Sequence, residues 1–98
     1  MTKSPLEKRL HATVEGQVQG VGFRYFVLEA AQSLNLVGWV RNTYRGEVEL
    51  VAEGAQEQLD RLLRLVQRGP SMSYVSNVRV SWEEPTGDYD RFQVAASL

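Results

Sequence analysis

Leu10, Ala12 and Val14 alternate with Arg9, His11, Thr13 and Glu15, a period of two that marks a half-buried strand. From Phe23 to Asn35 the period lengthens. Phe23, Phe26, Val27, Ala30, Ala31 and Leu34 fall on one helical face, with Glu29, Gln32 and Ser33 on the other, and this spacing predicts a helix of about three turns. Alternation returns over 36–42 and again over 47–53, where Val48, Leu50 and Ala52 share a face, and Thr43-Tyr44-Arg45-Gly46 reads as the hairpin loop between them. Leu59, Leu62, Leu63 and Val66 restore helical spacing. Gly69-Pro70 closes that helix, because glycine accepts the left-handed backbone past a last turn and proline cannot continue it. Val78, Val80 and Trp82 alternate with Asn77, Arg79 and Ser81 as a fourth strand, and Phe92 with Val94 suggests a short fifth beyond the turn at Pro85-Thr86-Gly87.

The order βαββαβ predicts an α+β sandwich of the ferredoxin-like kind, an antiparallel sheet with two helices on one face. Residues 7–98 read as one domain, and residues 1–6 as a flexible N-terminal tail. A right-handed crossover through the first helix makes strands one and two parallel, so their C-terminal ends share one edge of the sheet. The turn after strand one and Asn42 at the end of strand two are therefore expected to be neighbours.

Composition narrows the chemistry. With 98 residues, 43% of them hydrophobic, the chain can build one modest core and not two. It has no cysteine, which removes disulfides, thiolate metal sites and Cys-His catalysis, and its single histidine, His11, leaves zinc coordination and Ser-His catalysis poorly supplied. A formal charge of −1 argues against a surface that binds polyanions by counterion release. Residues 1–5 carry no apolar segment behind them, and no run approaches the roughly 18 apolar residues of a membrane span. The expectation is a soluble, cytoplasmic monomer without cofactor, metal, membrane or nucleic-acid partner.

One stretch stands apart: Gly16-Gln17-Val18-Gln19-Gly20-Val21-Gly22-Phe23-Arg24, between the first strand and the first helix. Its glycines permit positive φ and close approach of a ligand, so that successive amides can converge on an oxyanion. No Ser, Thr, Asp or Asn precedes the helix as a cap, and no carboxylate lies between Glu15 and Glu29. Arg24 stands at the helix N-terminus, where the dipole disfavours a cation and favours an anion. A docked phosphate reconciles these features.

That run, with Gly38-Trp39-Val40-Arg41-Asn42-x-x-x-Gly46-x-Val48 and Gly54 further on, resembles the two signatures of the acylphosphatase family, in the family's order and over the whole chain. The resemblance implies hydrolysis of the carboxyl-phosphoryl bond of acyl phosphates to a carboxylate and inorganic phosphate, without metal or cofactor. It implies that Gln19, Gly20, Val21, Gly22 and Phe23 bind the phosphoryl group through main-chain amides, that Arg24 binds it with its guanidinium, and that Asn42 orients the attacking water. Small-molecule acyl phosphates are then the substrates, and phosphate is both product and inhibitor. The ending Gln93-Val94-Ala95-Ala96-Ser97-Leu98 departs from the arginine and aromatic residue with which many relatives finish.

Two other readings fit parts of the pattern. Gly22-Phe23-Arg24-Tyr25-Phe26 has a likeness to an RNA-binding signature, with its aromatics in a helix instead of a central strand. A non-catalytic anion-binding module would use the loop and Arg24 and leave Asn42 idle. Arg41 and Thr43 are placed within reach of the same pocket, whereas His11 reads as an outward strand residue and Arg61, Arg64 and Arg68 as a solvated helix face. Trp39 and Trp82 are expected to pack in the core or on the sheet.

Overall fold

The computed structural model describes residues 7–98, so the tail expected over residues 1–6 lies outside the described residues. The elements are β1 (Glu7–Gln17), α1 (Phe23–Ser33), β2 (Val37–Asn42), β3 (Val48–Ala55), α2 (Gln56–Arg68), β4 (Tyr74–Glu83) and β5 (Phe92–Val94). They form one sheet in the order β4-β1-β3-β2-β5. The pairs β1/β3, β1/β4 and β2/β3 are antiparallel, which makes β1 and β2 parallel to each other as expected.

The sheet is mixed, not wholly antiparallel as the element order predicted, because β5 runs parallel to β2. The cause is where the chain re-enters. Glu83 at the end of β4 pairs with Arg9, at the end of the sheet where Val37 pairs with Glu53 and β2 begins. From there Thr86 and Gly87 bond to Glu53 in passing, and Phe92 lands beside Gly38. Starting at the same end as β2, the last strand can only run alongside it. Its direction continues past Val94: Ala95 N donates to Val40 O at 2.8 Å, Leu98 N to Asn42 O at 3.0 Å, and Tyr44 N to Leu98 O at 2.8 Å.

Register fixes the two faces. Leu10, Ala12 and Val14 oppose Ala52, Leu50 and Val48, and Val40 opposes Leu50; these pack with Phe23, Val27, Ala31, Leu59, Leu62 and Val66 into one buried core. Phe23, Val27 and Ala31 are the helical stripe read from the spacing, and each large member contributes about 1.5–3 kcal/mol by leaving water. The first helix packs on β2 and β5, the second on β1 and β3. Trp82 projects on this same side at the β4 edge, half out of the core at 42% exposure.

The opposite face is charged. His11 Nε2 lies 2.7 Å from a Glu49 oxygen, Arg41 bonds Glu49 at 2.8 Å and stacks over Trp39 at 4.5 Å, and Arg79 holds Glu15 and Glu47. His11 is thus outward-facing. Glu53 is a buried carboxylate, 4% exposed, accepting from Arg9 at 2.8 Å, from Thr86 N and Oγ1 at 2.9 Å and from Gly87 N at 3.0 Å. Burial pushes its pKa up, but the donors from Thr86, Arg9 and Gly87 prevail and hold it down at about 2.

The strand ladder also sets the start of the glycine loop. β1 shifts register between Glu15 and Gly16, and pairing with β4 resumes at Gly16–Val75 and Gln17–Tyr74. This is why β4 begins at Tyr74, earlier than its alternation predicted. At the bulge Gly16 has φ of 130°, and a Cβ there would stand 2.1 Å from Tyr74 O.

Candidate active site

Gly22 is the N-cap of α1, in the left-handed region at φ 80° and ψ 17°, and supplies no side-chain cap. The first turn of the helix contains no acidic residue. Phe26 N bonds to Gly22 O at 3.0 Å, but the amides from Gln19 through Tyr25 reach no acceptor among the described residues. Such a series of donors at a helix start carries partial positive charge that neither water-excluding packing nor a carboxylate neutralises. The helix entrance is uncapped, as expected from the sequence.

Beside these amides lies a cavity of about 310 Å³ lined by Val18, Gly20, Gly22, Phe23, Arg24, Tyr25, Asn42 and Val94. Arg24 has no hydrogen-bond or ion-pair partner among the described residues; the guanidiniums of Arg9, Arg41 and Arg79 hold carboxylates, and of the remaining arginines Arg24 alone lines this cavity. An arginine left unpaired at a helix N-terminus, on a cavity wall, is electrostatically set for an anion. Asn42 reaches the same cavity from the end of β2, and its Oδ1 is buried with no donor among the described residues. A buried acceptor without a donor costs about 1–3 kcal/mol, a deficit that a turn of the carboxamide towards a water in the cavity removes.

A family model described as Acylphosphatase matches residues 10–94. The acylphosphatase of Moorella thermoacetica is 48% identical over 90 residues, spanning 92% of this chain and 96% of that protein. The chain belongs to the acylphosphatase family. Solved structures agree with that placement. An acylphosphatase from Coxiella burnetii superimposes with a TM-score of 0.85 at 44% identity, covering 97% of this chain and 100% of that one. The crystal structure of acylphosphatase from Bacillus subtilis gives 0.87 at 36% identity, covering 90% of this chain and 98% of that one.

Of the site residues that the resemblance implies, Gly20, Gly22, Phe23, Arg24 and Asn42 line the cavity. Val21 turns away and packs against the core, and the Gln19 side chain bonds elsewhere, to Thr43 O and Glu47 O. Arg41 and Thr43 do not line the cavity. Alternation along β2 sends Arg41 to the opposite face with Glu49, and the Thr43 hydroxyl accepts from Arg45 N and Glu47 N inside the hairpin. Phe23 and Phe26 pack edge to face at 5.9 Å within or against the core, so neither is free to stack on a base. Val18, a signature residue to which no binding role is assigned, completes the cavity wall together with Tyr25 and Val94. Val18 belongs to the signature and Tyr25 directly follows it, whereas nothing local marks Val94, which arrives from the far end of the chain.

Proposed function

We propose that this protein is an acylphosphatase that hydrolyses the carboxyl-phosphoryl bond of small acyl phosphates, releasing a carboxylate and inorganic phosphate. The observation that carries the reading is the meeting, at one cavity, of the amide-lined loop, the unpaired Arg24 and the buried, unsatisfied Asn42. In this reading the amides of Gln19 to Phe23 and the guanidinium of Arg24 hold the phosphoryl oxygens. Arg24 gives two parallel hydrogen bonds where a lysine would give a point charge.

The chemistry asks for little more. The leaving carboxylate has a pKa of about 4 and departs without a general acid. A loose phosphoryl-transfer transition state depends on positioning and on donors aimed at the equatorial oxygens. Asn42 aims the nucleophilic water, and as a neutral amide it does not repel the dianion as a carboxylate would. The water's proton passes to a phosphoryl oxygen. Among the described residues no group of three His, Asp or Glu side chains is placed to hold a metal ion, which suits a mechanism run by the protein's own donors. Inhibition by phosphate follows from this reading, and we keep beside it the expectation, read from composition and size, of a cytoplasmic monomer.

Benzoyl phosphate turnover in the presence of a chelator is the test. The expected result is metal-independent hydrolysis with competitive inhibition by phosphate; no turnover above the uncatalysed rate would refute the proposal.

A further inference from the structure

Gln19 sits in the phosphate-loop signature, yet its side chain takes no part in the cavity wall. Its Nε2 donates to Thr43 O at 2.8 Å and to Glu47 O at 2.8 Å, using both hydrogens. The two acceptors bracket the hairpin between β2 and β3. That hairpin is already closed without them: Thr43 N donates to Glu47 O at 2.9 Å, Gly46 N to Thr43 O at 3.2 Å, and the Thr43 hydroxyl accepts from Arg45 N and Glu47 N. The turn does not need Gln19. What the carboxamide adds is a connection, because among the described residues no other hydrogen bond joins 18–22 to 42–47.

The two segments so joined are those to which the acylphosphatase reading gives different tasks. One carries the phosphoryl-binding amides, and the other begins directly after Asn42. From this geometry we infer that the Gln19 side chain is a positioning residue, tying the amide loop to the hairpin and thereby fixing the distance between the phosphoryl group and the water held by Asn42. The inference rests on the acylphosphatase reading. Both bonds are main-chain acceptors on a closed turn, so the carboxamide has a rigid receptor and a single pose. An isosteric side chain without donors keeps the volume and loses the tie. A misplacement of about 1 Å between reacting groups is enough to cost on the order of 100-fold in rate.

The experiment is kinetic, on Gln19→Met and Gln19→Glu, each alone and combined with Asn42→Ala. Gln19→Met should lower kcat for benzoyl phosphate by roughly 10- to 100-fold and leave the phosphate inhibition constant within about threefold. With Asn42 already replaced, the same change should cost almost nothing further, since there is no longer an aimed water to misplace. Gln19→Glu sets a carboxylate against two carbonyl oxygens, and its loss should be larger and partly recovered as pH falls and the neutral acid donates one bond. Should Gln19→Met fail to fold, that pH-dependent recovery in Gln19→Glu still decides. Wild-type kcat in Gln19→Met, or losses that multiply in the double variant, or phosphate inhibition weakened in step with kcat, would overturn the inference while leaving the acylphosphatase reading in place. Absence of turnover in the wild-type protein would instead remove the reading itself.

Discussion

Replacing Asn42 with alanine separates catalysis from stability in a way few substitutions at a half-buried position do. The main chain of Asn42 is engaged in the ladder with Val48 and accepts from Leu98 N at 3.0 Å, and alanine keeps both arrangements. The carboxamide makes no hydrogen bond to any described residue, and its Oδ1 is buried without a donor. Its removal therefore breaks no partner's bond and relieves a desolvated acceptor whose cost is about 1–3 kcal/mol, offset by the lost packing of the side chain. The balance is near zero, against the typical loss of about 1 kcal/mol for a substitution, which in a domain of this size would move Tm by about 4–8 °C. The rate should behave otherwise. Loss of one positioned polar group at a reacting centre costs about 2.7–4 kcal/mol in the transition state, so kcat for benzoyl phosphate should fall by roughly 100- to 1000-fold. Phosphate inhibition should hold steady, because the loop amides and Arg24 are untouched. Thermal denaturation, steady-state kinetics and phosphate inhibition on one preparation check all three. Undiminished kcat would refute the water-positioning role, and a fall in Tm of more than about 8 °C would show that the carboxamide is a structural group after all.

Arg24→Lys should weaken turnover and phosphate inhibition together, each by roughly 10- to 100-fold, the worth of about 1.5–3 kcal/mol for one charge-assisted bond; unaltered phosphate affinity would take Arg24 out of the site. Glu53 predicts the acid response of the fold. Its pKa is about 2 in the folded protein against an ordinary 4.5, so its contribution is complete above pH 4.5 and is lost as pH falls from there towards 2. The amount is on the order of 3 kcal/mol, and urea denaturation should show Glu53→Gln less stable at pH 7 and much less sensitive to acid over that window. Gly16→Ala places a methyl 2.1 Å from Tyr74 O and should lower Tm far more than Gly22→Ala, whose added Cβ meets nothing within 4 Å and bears only the roughly 1–2 kcal/mol of a left-handed backbone. Equal melting points for the two variants would show that the bulge is not set by that close approach.

Elements with a strong period were legible, since Leu10, Ala12 and Val14 or Leu59, Leu62 and Val66 reveal their faces by spacing alone. The amide loop was legible for a different reason: what mattered was the absence of a cap and of carboxylates, and absences along a chain are visible without coordinates. Three features were hidden because they depend on pairing at a distance. The parallel sense of β5 follows from the route of residues 84–91 past Glu53, not from anything in Phe92-Gln93-Val94. Val94 enters the cavity wall only because that strand lies beside β2. Glu53 alternates like any solvent-facing strand residue, and its burial comes from Thr86 and Gly87 folding over it. Arg41 and Thr43 show the converse, since adjacency to Asn42 in sequence promised a nearness that the pleat denied.

Because the donors from Gln19 through Tyr25 belong to the peptide backbone, any residue except proline could present them where φ is negative, whereas Gly20 and Gly22, at φ of 75° and 80°, hold positions that glycine fills at least cost. What encodes the cradle is those glycines together with a residue count, the number of steps from the kink at Gly16 to the opening coil of the first helix. Exchanging Val21 for isoleucine rewrites a letter and leaves the cradle whole, whereas inserting a single alanine beside it would swing each donor off its aim. At a position such as Val21 tolerance is thus a matter of spacing, and a gap or an added residue is more damaging there than a change of side chain.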